Sequence, residues 1–374
     1  MTTIEEENHT RFMRIALNLA KRGLGIVSPN PAVGCVIVKN DQIIGRGWTQ
    51  RGGRPHAETE ALARAGESAK GSTAYVTLEP CAHQGVTPPC ASALIESGVE
   101  TVVVAVADPD PRVDGGGVKM LEEAGIKVIF GICGDEASRL NRGFFLVLKN
   151  KRPLVTVKIA SSLDGVVSTK NGESKWITGK QSRDRGQLFR SNHDAILVGG
   201  GTAISDDPAL TCRLPGMEDR SPIRVVVIGQ RMVSLDSQLV KTAKDLPVWC
   251  FMSSSVKEKN EDHCTKLVES GVRIFTLGFN HLDRMDMNAI LKKLAKLGIT
   301  RLLVEGGPSV ITSLISADLV DQLIWFRAPV IIGAEGRSAI SNLGLENLDQ
   351  SKRFKRSSFR QMGNDVIECF DRWS

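Results

Sequence analysis

The spacing that most constrains this chain is His56-Ala57-Glu58 followed by Glu79-Pro80-Cys81 and then Thr87-Pro88-Pro89-Cys90. One imidazole and two thiols can hold a zinc ion at three corners of a tetrahedron, leaving the fourth for water. A carboxylate two residues after the histidine is placed to move protons to and from that water. The stretch from His56 to Ala65 reads as a helix, and Cys90, just past two prolines, opens another. A thiol at a helix start has its thiolate form favoured by the dipole and the free N–H groups. Two helix starts must therefore converge at one end of a sheet. The alternative is a closed structural zinc with His83 as fourth ligand, but such a site has no use for Glu58.

Around this motif, helix and strand alternate. Arg11 to Gly23 has apolar residues at helical spacing, and Ala32 to Val38 and Ile43 to Trp48 read as strands joined by a turn at Asn40-Asp41. Thr73 to Leu78 and Thr101 to Ala107 are further strands, with Asp108 to Pro111 and Gly115-Gly116-Gly117 as a loop after the second. Such alternation predicts an α/β layered domain. Lys149-Asn150-Lys151-Arg152-Pro153 is a charged, proline-ended connector, placing the domains at 1–148 and 149–374. A second alternating series opens at Leu154 to Ala160 and runs through Leu323 to Pro329. Two glycine clusters follow strands there: Gly199-Gly200-Gly201-Thr202, and Gly306-Gly307 ahead of a helix from Val310 to Ile315. Bare N–H groups at that helix start suit an anion such as a dinucleotide pyrophosphate. Neither cluster has full G-x-G-x-x-G spacing, so a Rossmann domain is not supported.

Composition narrows the function. A net charge of +6 over 374 residues is mild, and one tyrosine is a poor supply of stacking platforms, so nucleic acid is not the expected partner. The acidic N-terminus has no apolar signal region, and no run approaches a bilayer span, so a cytoplasmic protein without membrane contact is expected. The eight cysteines are scattered without a disulfide-scaffold pattern, and those outside the motif read as buried thiols.

H-x-E followed by paired cysteines after proline is a mark of zinc deaminases acting on nucleobases. Here eight residues, not two, separate Cys81 from Cys90. With Ser28-Pro29-Asn30-Pro31 and the closing T-P-P-C, the pattern resembles the bifunctional pyrimidine deaminase/reductase family of riboflavin biosynthesis. Lys158 to Gly165, Trp176-Ile177-Thr178, Gly199 to Thr202, Asp206-Asp207-Pro208 and Val304 to Gly307 are similar to that family's reductase half.

The resemblance implies a cytidine-deaminase-like αβα domain followed by a dihydrofolate-reductase-like α/β domain. The first would remove the 2-amino group of a phosphorylated diaminopyrimidine by zinc-dependent hydrolysis. The second would reduce the ribosyl chain to ribityl with NADPH. Zinc falls to His56, Cys81 and Cys90, the proton shuttle to Glu58, and pyrimidine contact to Asn30. Cofactor contact falls to Ala160, Trp176, Thr202, Asp206 and the turn Gly307-Pro308-Ser309. Substrate contact falls to Ser174, Arg190, Leu210, Arg213 and Glu305, the two arginines suiting the 5-phosphate. A homo-oligomer is expected on the same ground.

Three residues depart from the family pattern: Thr49 where a histidine is usual, Val86 where a basic residue is usual, and Ile228 where an aspartate is usual. Two rival readings remain, a nucleic-acid-editing deaminase and a zinc-stabilised binding module that is not an enzyme. Intact Glu58 argues against the module.

Overall fold

The computed structural model describes residues 3–84, 88–111, 113, 115–278 and 285–373. The chain divides into two compact units, Met1–Lys151 and Arg152–Ser374. The first is built on strands β1 (Gly34–Lys39), β2 (Gln42–Trp48), β3 (Thr73–Val76), β4 (Thr101–Val104) and β5 (Lys127–Phe130). They lie in the order β2-β1-β3-β4-β5, β1 antiparallel to both neighbours and the others parallel. Helices α1 (Thr3–Ala20), α2 (Ala57–Ala65), α3 (Cys90–Glu96), α4 (Gly116–Glu123), α5 (Gly134–Leu140) and α6 (Arg142–Asn150) accompany the sheet.

The period of two in β1 decides the layering. Cys35 and Ile37 face a core with Ala57, Ala61, Ala91 and Leu94. Val36 and Val38 face the opposite core, with Phe12, Met13, Ala16 and Leu17. The result is an αβα sandwich. The β1–β2 turn needs positive φ at both central residues, which Asn40 and Asp41 supply at 49° and 57°.

The second unit carries strands β6 (Leu154–Ser161), β7 (Val166–Ser168), β8 (Ala195–Gly199), β9 (Ile223–Val227), β10 (Val248–Met252) and β11 (Val272–Thr276). Strands β12 (Arg301–Val304), β13 (Gln322–Arg327), β14 (Arg337–Ser338), β15 (Phe354–Met362) and β16 (Asp365–Arg372) follow. The main sheet runs β11-β10-β9-β8-β12-β6-β13-β16-β15, while β7 and β14 pair separately. Every pairing from β11 to β13 is parallel, and the β15–β16 hairpin is added antiparallel. Three helices matter most for the site: α7 (Lys180–Ser191) and α8 (Gly200–Asp206), and the one over Pro308–Ser316. Each face of the parallel sheet has its own apolar core.

Several boundaries differ from expectation. Gly116 and Gly117 belong to α4, because Glu79 satisfies that helix's first N–H groups and the glycines let it dock closely. Lys149 and Asn150 end α6, so a boundary at 148/149 falls inside that helix. The strand expected over Thr101 to Ala107 stops at Val104, and that expected to Pro329 stops at Arg327.

Candidate functional site

The alanine-rich sequence Ala57 to Ala65 makes a good helix, and its buried stripe is Ala57, Glu58, Ala61 and Ala65. His56 sits at the N-cap in extended conformation and makes no capping bond through its ring. The imidazole is thus available where a Ser or Asp would usually be spent on the backbone. Gly47 allows this helix to lie directly on β2, since a Cβ there would collide with the Ala57 carbonyl. Cys90 begins α3 after Pro89, and its backbone N–H donates to Cys81 Sγ over 3.3 Å.

His56 Nδ1 lies 3.2 Å from Cys90 Sγ and 3.8 Å from Cys81 Sγ, all three atoms falling within 4.8 Å of one another. Among the described residues this is the one such cluster, and His83 is not in it. The donor set fits zinc: two sulfurs and one imidazole nitrogen converge, leaving room for a fourth ligand. The interaction between the two thiol side chains pulls Cys81 down to about 4 against burial and, together with burial, pushes Cys90 up. Glu58, two residues after His56, is 4% exposed. Burial lifts its carboxyl to about 7, with His56 pulling the other way.

Glu79 is a residue the sequence left without a role. Its buried carboxylate accepts from the N–H groups of Gly117 at 3.1 Å, Val118 at 3.3 Å and Asp108 at 3.4 Å. It thereby pins the turn that carries Cys81 to the start of α4. Asn30 Nδ2 donates to Gly52 O at 3.5 Å and its side chain packs over Gly53, in the loop leading to His56. Thr49 is buried, and its hydroxyl accepts from Val33 N at 3.0 Å, so it serves the backbone. Val86 and Thr87 lie outside the described residues.

In the second unit the structure brings together Arg190, Glu305 and Lys158. Arg190 Nε and Nη2 donate to the two oxygens of Glu305 at 2.8 and 3.0 Å, and Nη1 donates to Thr211 O at 3.0 Å. Lys158 Nζ stands 3.8 Å from Glu305. Burial alone would raise the Glu305 carboxyl, but Arg190 and then Lys158 outweigh it and bring it to about 2. Lys158 had no assigned role in the sequence; it entered only as the first residue of the reductase-like stretch Lys158 to Gly165. Most of Arg190's fork is committed to Glu305 and Thr211, leaving little of it for a phosphate.

The remaining expected residues are spread as follows. Gly307 approaches Thr202, and Gly306 approaches Gly199, so the two glycine turns meet; side chains there would fill the cradle between them. That bare backbone fits a dinucleotide. Asp206 and Ser309 are exposed, while Ser174 and Ala160 are half-buried. Leu210 is packed in the core with φ at 54°, so only its backbone can face a ligand. Arg213 is exposed, its N–H bonded to Gln187. Ile228 is buried in the same core as Leu210. Asp164 fixes a turn, accepting from Ser162 Oγ and from the N–H groups of Ile332 and Gly333.

Two family descriptions match this layout: "Cytidine and deoxycytidylate deaminase zinc-binding region" over residues 6–106, and "RibD C-terminal domain" over residues 153–367. The chain is 42% identical over 363 residues to the riboflavin biosynthesis protein RibD of Aquifex aeolicus, covering 97% of this chain and 98% of that one. The chain belongs to the RibD family. The RibD of Escherichia coli is 40% identical, covering 95% of this chain and 97% of its own. The solved RibD of Acinetobacter baumannii superposes with a TM-score of 0.87 at 37% identity, covering 99% of this chain and 100% of that one. The Thermotoga maritima deaminase/reductase gives 0.86 at 34%, with the same coverage. As a RibD, the chain is a bifunctional enzyme of riboflavin biosynthesis, with a zinc-binding deaminase half and an NADPH-dependent reductase half. The first is cytidine-deaminase-like and the second dihydrofolate-reductase-like. No helix among the described residues is long and apolar enough to cross a membrane.

Proposed function

We propose that the deaminase half, 1–148 by sequence, converts 2,5-diamino-6-(5-phosphoribosylamino)pyrimidin-4(3H)-one and water to the uracil analogue and ammonia. The reductase half, 149–374, then transfers hydride from NADPH to the ribosyl chain, which takes a proton from solvent, giving ribityl and NADP+. The observation that carries the first reaction is the convergence of His56, Cys81 and Cys90 on one point, with the buried carboxyl of Glu58 two residues beyond the first of them. These three residues would hold zinc, which would supply a nucleophile near neutral pH by lowering the pKa of a bound water. Glu58, held near neutrality by burial, can take a proton from water and return it to the departing amine. Asn30, at the loop edge beside Gly52 and Gly53, would hold the pyrimidine.

In the reductase half, Gly307, Pro308, Ser309, Thr202, Asp206, Ala160 and Trp176 would contact NADPH. Ser174, Arg190, Leu210, Arg213 and Glu305 would contact the substrate. Hydride transfer needs chiefly proximity and orientation, which the half-buried Arg190–Glu305 fork can fix. With the fork so occupied, the exposed Arg213 is the better phosphate donor of the two arginines. The enzyme acts in the cytoplasm and assembles as a homo-oligomer, and it uses neither nucleic acid nor membrane as a partner. Support for assembly comes from β15, the outermost strand, whose residues are largely exposed, Phe359 among them.

The test is zinc content and ammonia release for the wild type and Glu58→Gln, with the diaminopyrimidine ribotide, cytidine and a single-stranded oligonucleotide as substrates. Both proteins should hold about one zinc per chain. Only the ribotide should release ammonia, and Glu58→Gln should slow it by about 10²–10⁴-fold. Wild type that holds zinc yet releases no ammonia from the ribotide would overturn the assignment.

A further inference from the structure

Trp176 is 68% exposed, an unusual setting for an indole, and it is not left to move freely. The Arg183 guanidinium stacks on it with its central carbon 4.5 Å from the ring centroid. The same guanidinium donates through Nη1 to Thr178 O at 2.7 Å, two residues beyond the tryptophan. Ring and backbone of this segment are thus gripped by one side chain. Arg183 is itself held by the start of α7. The buried carboxylate of Asp365 accepts from Gly179 N at 2.7 Å and from Ser182 Oγ at 2.5 Å. Arg183 and Arg190 are seven residues apart, two turns along one helix face. The helix that sets Arg190 on Glu305 therefore also sets Arg183 on Trp176.

A cation covers one face of the indole, and most of the residue still lies in water, so a broad apolar face stays open. A fixed aromatic face of this kind suits a flat heteroaromatic ring and loses little freedom when one stacks on it. We propose that Arg183 is a positioning residue for the nicotinamide cofactor: it holds Trp176 as a preformed face on which a ring of NADPH rests. This rests on the reading that Trp176 contacts the cofactor. Arg183 acts through the indole and the Thr178 carbonyl, and it touches no reacting atom. The stack needs a cation, so lysine can replace part of it, whereas glutamine cannot.

The experiment measures NADPH binding and reductase kinetics for the full-length wild type, Arg183→Gln, Arg183→Lys and Trp176→Ala, with fluorescence read against Trp176→Phe. Arg183→Gln should raise Kd and KM for NADPH by about five- to tenfold, leaving kcat at saturating NADPH and ammonia release unchanged. Its Trp176 emission should become more accessible to iodide quenching. Arg183→Lys should recover most of the affinity. If Trp176→Ala binds NADPH as tightly as the wild type, the cofactor reading of Trp176 fails and this proposal with it. If Trp176→Ala weakens binding but Arg183→Gln does not, the role of Arg183 alone is overturned. A fall in kcat and thermal stability in Arg183→Gln, with KM for NADPH unmoved, would assign it a structural role and equally overturn the proposal.

Discussion

His193 shows how one side chain can tie stability to pH. It is 2% exposed; its Nδ1 lies 2.7 Å from Phe189 O, and its Nε2 is buried without a partner. Burial first, and then the charge of Arg301, lower its pKa from 6.5 to about 3, while the Phe189 carbonyl and Glu305 pull the other way. The folded state therefore resists the proton that the unfolded chain accepts. Its stabilising contribution is complete above pH 6.5 and is withdrawn as pH falls towards about 3. At about pH 5 the loss should be about 2 kcal/mol. Glu305, at about 2 folded against 4.5 unfolded, begins to lose its own contribution only as pH falls through about 4.5, so it adds little between pH 7 and 5. Urea unfolding of the full chain at steps between pH 7 and 5 checks this. His193→Gln should flatten the slope by about one proton, and an unchanged slope would remove His193 as its source.

At the scale of elements, the docking of α4 on the Cys81 turn is a device for fixing a metal ligand. A Cβ on Gly117 would collide with the Pro80 carbonyl, one residue before Cys81. Gly117→Ala must push the helix away and loosen the three bonds that Glu79 accepts. Zinc affinity, read by competition with a chelator, should weaken by at least about tenfold, as when a ligand's supporting bonds are lost. Affinity equal to the wild type would mean that α4 does not set Cys81.

This element also marks the limit of what the sequence reveals. His56, Glu58, Cys81 and Cys90 are legible because fixed spacing and local helix starts carry the information. Glu79 is not, since its partners lie up to 39 residues away in the chain. The run Gly115-Gly116-Gly117 reads as loop because glycine signals a turn, yet tertiary contact makes helix of the last two. The β15–β16 hairpin is missed for a different reason: Phe354 to Met362 is largely exposed, so it lacks the apolar alternation that announces a strand. Asp365, at the start of β16, shares this invisibility although it anchors α7 from 186 residues away.

For the molecule as a whole, each compact unit has its own main sheet with apolar cores on both faces, and each candidate site draws its residues from one unit. The metal cluster takes its ligands from α2, the Cys81 turn and α3, all within Met1–Lys151. The Arg190–Glu305–Lys158 group lies wholly within Arg152–Ser374. Coupling between two sites requires an element with two arrangements that both sites bias, and no residue is shared by these two. Cys81→Ser removes one of three ligands and should abolish zinc binding and ammonia release together. NADPH oxidation with the deaminated ribotide supplied directly should stay within about twofold of wild type, since coupled sites typically show 5- to 150-fold effects. Both rates should be measured on one full-length preparation, with urea unfolding to confirm that the second unit is folded. A reductase rate cut tenfold in a protein whose second unit is intact would show that the metal site reaches across the chain, and independence of the two activities would have to be given up.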